Sequence, residues 1–290
     1  ARRPLPAMAA HATATALANR PFAGRLELTI DRRVQEGLEA VARDAATKLG
    51  PKLSVALVLA DAGTGDILGA VDSADYFASG RSGWIDMTRA VRSPGSTLKP
   101  FIYGLAMEEG LVAQETMIED RPADFSGYRP RNFDMSYQGD VTVRQALQLS
   151  LNVPAIRLLD AVGPARLSAR FRQAGVTLKL PPGEAPGLAI GLGGAGISLR
   201  DLVQLYTGLA NRGRAIGLRD GSEPEGTATA ASAALLSPEA TWQVADALSG
   251  VKPPEGAARR GIAYKTGTSY GYRDPRSVGY DGQYYVCDWV

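Results

Sequence analysis

The sequence predicts a mixed α/β domain, with one sheet assembled from both ends of the chain and helices flanking it. Apolar, partly alternating runs of strand length occur near the beginning and again near the end, whereas the long middle carries helix-start signals. With 290 residues, 45% hydrophobic and 21% charged, the chain has the composition of an ordinary globular protein and is long enough for one large domain or two small ones. There is no internal repeat.

Residues 1 to about 25 are rich in Ala, Arg and Pro without a sustained period, and read as a linker. Leu26, Leu28 and Ile30 alternate as a short strand. Asp31 is placed to cap a helix with Val34, Leu38, Val41, Ala45 and Leu49 on one face, and Gly50 stops it. Leu53 to Ala60 and Ile67 to Val71 read as strands joined by a turn over 61–66; the acidic residues there lack the regular spacing of a calcium loop. Phe101 to Glu109 reads as a helix ending at Gly110, and 111–140 as loop. Thr142 and Gln145 make a capping box for a short helix running up to Ser150. Ser198 caps a helix with Leu199, Leu202, Val203 and Tyr206 on one side, and Ser237-Pro238-Glu239 starts another. Ile262 to Thr268 and Gln283 to Val290 return to strand, around an Asp281-Gly282 turn.

Composition removes several functions. The net charge of +2 is spread along the chain, leaving no electrostatic case for nucleic acid. No apolar run approaches the roughly 20 residues of a membrane span, so any attachment would come from residues outside this sequence. Cys287 is the only cysteine and His11 the only histidine, so an intrachain disulfide is impossible, a cysteine metal cluster is excluded, and a histidine zinc site and a Ser-His-Asp triad are disfavoured; no metal or other cofactor is expected. Gly191, Gly193 and Gly196 satisfy G-x-G-x-x-G, but no βαβ unit surrounds them, and they read as a tight turn into the Ser198-capped helix.

Lysine is left as the best available base. Ser96 and Lys99 are three residues apart after Pro94-Gly95, sharing one face at a helix start where backbone N–H groups favour developing anionic charge. Pro100 has no N–H for the Ser96 carbonyl, an irregularity that would loosen the first turn. Lys99 works as a base only if burial or a second cation lowers its pKa, and Lys265 is the obvious cation. Ser150 is suited to relay a proton, and Asn152 to hold a substrate amide. Gly267 lets another group approach its strand closely, while Lys265 with the Thr266 and Thr268 hydroxyls suits a carboxylate. The inferred ligand is an extended peptide with a free terminal carboxylate, paired against the strand.

Ser96-Thr97-Leu98-Lys99, Ser150-Leu151-Asn152 and Lys265-Thr266-Gly267-Thr268 follow in the order that penicillin-binding proteins and class A β-lactamases share. The chain resembles the transpeptidase domain of class A penicillin-binding proteins, most closely the 1C type. Arg92 to Phe101, Ile30 to Arg33, Tyr128 to Asp134, Gln148 to Pro154 and Lys265 to Gly271 carry the likeness from about residue 26 onward. The resemblance implies a five-stranded antiparallel sheet flanked by helices, plus a helical lobe, as in serine β-lactamases. It implies Ser96 as nucleophile, Lys99 as its base, and Ser150 and Asn152 in proton transfer and alignment. Lys265, Thr266, Gly267 and Thr268 would bind substrate, and the Ser96 and Thr268 backbone N–H groups would form the oxyanion hole. The implied partners are peptidoglycan stem peptides, as D-Ala-D-Ala donor and amine acceptor, and β-lactam antibiotics. The implied location of the full-length protein is the periplasmic face of the bacterial inner membrane.

Residues 1–25 resemble the linker after an upstream glycosyltransferase domain, and 26–290 the transpeptidase domain, with C-terminal elements expected beyond Val290. Asp274 to Ser277 stands where an apolar strand entry is expected. The rival readings are a β-lactamase, a D,D-carboxypeptidase and a non-catalytic penicillin sensor. A class A lactamase needs a deacylating glutamate in E-x-x-L-N; Glu184, in Pro181-Pro182-Gly183-Glu184, lacks that context.

Overall fold

The computed structural model describes residues 8–50, 53–73, 83–224, 232–254, 257, 261–268 and 275–289. Its centre is the expected antiparallel sheet of five strands. The first hairpin, β1 (Ala56–Asp61) and β2 (Ile67–Val71), joins the last three long strands, β7 (Ala263–Gly267), β8 (Arg276–Tyr280) and β9 (Tyr284–Trp289), in the order β2-β1-β9-β8-β7. The two chain ends meet along β1 and β9, in register from Ala56 opposite Trp289 to Asp61 opposite Tyr284. Asp61 Oδ1 accepts from the Gly63 and Thr64 amides, so the acidic loop is a hairpin turn. β8 runs through the region of the unexpected strand entry, with Lys265 opposite Val278 and Gly267 opposite Arg276. Arg276 is buried, and Asp274 lies outside the described residues, as do Ser269 to Gly271, Val290 and residues 1–7.

Helices cover both faces, which is why β1 is buried almost continuously instead of at alternate residues. On one face lies α2 (Arg32–Leu49), capped by Asp31 through the Arg33 and Val34 amides. Its buried residues are Gln35, Ala42 and Ala46, while Val41 and Leu49 are exposed, so the helix is turned from its apolar stripe. The cause is polar. Gln35 Nε2 donates to the Ala70 carbonyl, and the Ala70 N–H donates to Gln35 Oε1, both at 2.8 Å, so the side chain pairs with edge strand β2 as a short strand would. Leu26 to Ile30 forms no strand; the Thr29 and Asp31 amides bond singly to the Asp220 and Leu68 carbonyls.

The other face carries the main core and the helical lobe. α3 (Lys99–Glu108) is its axis, with Lys99 to Met107 buried without a break. Around it pack α4 (Val143–Gln148), α5 (Asn152–Val162), α6 (Pro164–Gln173), α7 (Leu199–Ala210) and α8 (Pro238–Ser249). Phe101 meets Phe171 and Tyr206 edge-on at centroid distances of 5.4 and 5.2 Å, tying α3 to α6 and α7. The expected caps of α4, α7 and α8 are present at Thr142, Ser198 and Ser237.

Two stretches differ from the sequence reading. Residues 111–140 contain the ribbon β3 (Met117–Asp120) and β4 (Gly139–Thr142); each strand is only four residues long, too short for a clear alternation. The opening segment contains α1 (Ala10–Asn19), with Ala12 and Ala16 buried one turn apart. Alanine favours helix strongly without marking a face, so the periodic signal was weak. A minor ribbon, β5 (Arg214–Ala215) with β6 (Ala233–Ala234), completes the described elements.

The Gln35 clamp is testable. Gln35→Ala strips two backbone groups of β2 of their buried partner, and unfolding in urea should show a loss of about 1–3 kcal/mol. An unchanged midpoint and slope would mean that α2 contributes only apolar packing.

Candidate active site

All three sequence elements converge where the helical lobe meets edge strand β7. Gly95 to Leu98 forms a single 3-10 turn that runs directly into α3. The Ser96 carbonyl, which Pro100 cannot serve, accepts from the Lys99 N–H one residue earlier. The proline is therefore accommodated by a tightened turn, and the expected loosening is absent. The turn is also held from outside: the wholly buried Tyr206 hydroxyl donates to the Thr97 carbonyl at 2.7 Å, and Ser93 Oγ to the Gly193 carbonyl at 2.8 Å. The glycine-rich stretch after Leu188 thus packs against the Ser96 turn and belongs to no dinucleotide site.

Two glycines allow the turn to lie against β7. Gly95 has φ +54°, and a Cβ there would sit 2.6 Å from the Thr268 carbonyl oxygen and 2.9 Å from the Thr268 nitrogen. A Cβ on Gly267 would sit 2.7 Å from Thr97 Cγ2 and 2.9 Å from the Pro94 carbonyl oxygen. The group that approaches Gly267 closely is thus the protein's own Ser96 turn, which brings the backbone of Thr268 beside that of Gly95 and Ser96.

The Ser150-Leu151-Asn152 element is the corner between α4 and α5. The Ser150 N–H bonds the Leu147 carbonyl and the Leu151 N–H the Ala146 carbonyl, a helix stop that normally places glycine in the left-handed position. Ser150 occupies it with φ +58°. The corner turns both the Ser150 carbonyl and its hydroxyl toward the lysines.

Lys99 is fully buried, and its Nζ donates at 2.5 Å to both the Ser150 carbonyl and Asn152 Oδ1, with Ser150 Oγ at 3.4 Å. Lys265 reaches the same hydroxyl from β7: its Nζ donates to Ser150 Oγ at 2.7 Å and to the Thr266 carbonyl at 2.8 Å. Ser150 Oγ therefore lies between two amines. Burial pushes Lys99 far below the ordinary lysine value, and the neighbouring Lys265 charge pushes it further, against an opposing pull from Asp120. Burial brings Lys265 down to about 7.

Asn152 is engaged within the protein at both ends of its amide. Its Oδ1 holds Lys99, and its Nδ2 donates one N–H to the Arg131 carbonyl at 2.6 Å, which leaves the second amide N–H for a substrate carbonyl. Lys265 is 3% exposed, whereas Thr266 is exposed and Thr268 half-buried. Successive strand residues face opposite ways, so Thr266 and Thr268 share a face of β7 opposite to that of Lys265. Ser96 is half-buried at the mouth of the turn. Sequence reasoning missed the supports: Tyr206, and the pair Asp120 and Asn132, which lies behind Asn152. The sequence reads Tyr206 only as a residue on the apolar side of its helix and the Asn132 stretch only as part of the resemblance, and gives Asp120 no signal. Cys287 is buried in β9, and Glu184 is exposed on a loop. Among the described residues no group of His, Cys, Asp and Glu could hold a metal ion, and no helix is long and apolar enough to cross a membrane.

A serine on a 3-10 turn, two desolvated lysines and a serine between them define a serine acyltransferase-type site on this fold. The family model "Penicillin binding protein transpeptidase domain" matches residues 55–290, and the chain belongs to that family. It is 38% identical over 270 residues to penicillin-binding protein 1C of Escherichia coli, covering 92% of this chain and 34% of that protein. It is 34% identical over 171 residues to penicillin-binding protein 1A of Neisseria lactamica, covering 56% of this chain and 20% of the other. The chain thus spans about a third or less of the length of these relatives. Among solved structures, penicillin-binding protein PonA1 of Mycobacterium tuberculosis superposes with a TM-score of 0.76 at 21% identity, covering 91% of this chain and 76% of that one, a likeness of fold.

The depressed Lys265 has a thermodynamic signature. Its folded value of about 7 lies below the ordinary 10.5, so between those pH values the unfolded chain binds the extra proton. That contribution makes stability rise with pH across the window, and the full penalty stands below it. Lys265→Met removes the penalty, so its gain over wild type in urea unfolding should be largest below about pH 7. The gain should shrink toward pH 10.5. A pH-independent difference would show that the amine is not desolvated.

Proposed function

We propose that this domain is a serine D,D-transpeptidase that cross-links peptidoglycan stem peptides through an acyl-enzyme on Ser96, and that β-lactams acylate the same residue. The single observation that carries the reading is the Ser150 hydroxyl between the Lys99 and Lys265 amines, at the turn that bears Ser96. Family membership supports the transpeptidase reaction, and the edge position of β7 supports an extended peptide as its substrate.

In this mechanism Lys99, held neutral by burial and by Lys265, takes the Ser96 Oγ proton as the oxygen attacks the carbonyl carbon of the penultimate D-Ala. The Ser96 and Thr268 backbone N–H groups receive the oxyanion. Lys265 and Ser150 pass a proton to the departing amine of the terminal D-Ala as the C–N bond breaks, leaving an ester on Ser96. The amine of a second stem peptide attacks that ester and gives its proton through Ser150 to Lys265; as the new amide forms, the ester C–O bond breaks and Ser96 Oγ takes back the proton held by Lys99. Thr266 and Thr268 on the rim of β7 meet the terminal carboxylate, with Lys265 behind them. Asn152 keeps Lys99 in place through Oδ1 and aligns the donor through its second amide N–H. The cleft works at the cell wall, on the periplasmic face of the inner membrane.

The absence of a deacylating glutamate separates this reading from a β-lactamase. Glu184 is far from qualifying, being exposed and outside any E-x-x-L-N element. Intact-mass analysis after penicillin treatment should show one adduct, on the peptide containing Ser96, and none in Ser96→Ala. Lys99→Arg should abolish the adduct, because a guanidinium cannot serve as base. The adduct should decay over minutes to hours, not at the ~1–10³ per second of efficient turnover. Rapid penicillin destruction that depends on Ser96 would reverse the assignment toward a lactamase, and an unchanged adduct in Ser96→Ala would remove it.

A further inference from the structure

Behind the lysine pair lies a polar arrangement that no catalytic role accounts for. Asp120 ends β3 and is wholly buried. Its two carboxylate oxygens accept from Asn132 Nδ2, each at 2.8 Å, and Oδ2 also accepts from the Gln138 N–H at 2.8 Å. The same Asn132 Nδ2 donates to the Ser136 carbonyl at 2.9 Å, while Asn132 Oδ1 accepts from the Asn152 N–H at 2.7 Å. That amide is the first of α5, which as a helix-start donor has no intrahelical acceptor. The 131–136 segment thus meets Asn152 twice: the Arg131 carbonyl accepts from its side chain, and the Asn132 side chain accepts from its backbone. Met135 in the same segment has φ +62°, a left-handed conformation that persists only where the surroundings impose it.

We propose that Asp120 and Asn132 are positioning residues for the acylation step: their carboxylate–amide clasp fixes the first residue of α5, and through Asn152 Oδ1 it fixes the Lys99 amine beside Ser150. Neither residue touches Ser96 in this arrangement. The clasp acts on Lys99 by geometry through Asn152 and by charge through Asp120. Among the described residues, the charges that act on Lys99 are Lys265 from β7 and Asp120 from β3, with opposite effects. Tyr103, one turn along α3, faces Asp120 as a phenol whose pKa burial drives upward, so it adds no charge near neutrality. The inference rests on Lys99 being the base for Ser96.

The test is the rate of penicillin labelling of Ser96 as a function of pH, with thermal unfolding recorded beside it, in Asn132→Ala and Asp120→Asn. A misplacement of about an ångström costs up to ~10²-fold in such a step, so Asn132→Ala should label roughly 10- to 100-fold more slowly at every pH. Asp120→Asn is close to isosteric and removes the charge that raises the proton affinity of Lys99. The amine then loses its proton at lower pH, and the acid limb of the rate profile should move to lower pH. A merely structural role would lower stability without moving that limb. Wild-type rates in Asn132→Ala, or an unmoved limb in Asp120→Asn, would overturn the proposal; if Asn132→Ala does not fold, Asp120→Asn alone decides it. Wild-type labelling by Lys99→Arg would instead sink the base assignment itself, and an inert Lys99→Arg with unaffected clasp variants would sink the clasp alone.

Discussion

Two lysine amines buried against one serine hydroxyl form the constraint on which the rest of the site depends. An isolated ammonium in such an interior is costly enough that the group lowers its pKa and sheds its proton, and a second one nearby makes that shift larger. Burial disfavours the charge of both Lys99 and Lys265, and the Lys265 charge disfavours that of Lys99 further, while both keep oxygen acceptors at hydrogen-bond distance: the Ser150 and Thr266 carbonyls, Ser150 Oγ and Asn152 Oδ1. An amine so held is pre-oriented and poor in protons, the state a serine nucleophile needs where no histidine is available. Asp120 opposes part of the shift, so the site is balanced by one buried carboxylate and not simply dried out.

That balance demands that two separately built bodies meet closely. Ser96 and Lys99 belong to the helical lobe, Lys265 to the sheet, and the corner bearing Ser150 to the α4–α5 junction. The seam closes because Gly95 and Gly267 place backbone against backbone, where any side chain would collide with the Thr268 or Pro94 carbonyl. Tyr206 fixes the lobe side of the seam from α7, and Tyr285 ties α7 to β9 by donating to the Thr207 carbonyl at 2.9 Å. The Ser96 turn is therefore referenced to the sheet through a continuous chain of buried contacts.

The parts of this arrangement that the sequence disclosed are those with short-range signatures. Asp31, Thr142, Ser198 and Ser237 announce helices by chemistry confined to three or four residues, and each cap is present. The three motifs likewise carry their spacing locally. What stayed hidden depends on partners distant in the chain. Gln35 looks like an ordinary polar helix residue until it is seen bonding Ala70 of β2, and this is why the apolar stripe of α2 misjudged its buried face. β3 and β4 are four-residue strands with no pattern of their own, yet β3 supplies Asp120. α1 is half alanine, strong in helix tendency and without a stripe to show it.

Ser150 shows how strain and function are connected here. Its left-handed backbone would suit glycine, and the helix stop around it is one that glycine usually completes. A serine in that position keeps a conformational cost that glycine would avoid. What glycine would lack is the hydroxyl to which both lysines turn, at 2.7 Å from Lys265 and 3.4 Å from Lys99. The left-handed turn is also what aims the Ser150 carbonyl at Lys99, so backbone conformation and side chain serve the same two amines. A residue with relaxed backbone would continue α4 and carry its hydroxyl away from the seam. The strained geometry and the contacts to both lysines are thus one requirement, and the Leu147 and Ala146 carbonyls, which accept the Ser150 and Leu151 amides, hold the corner in it.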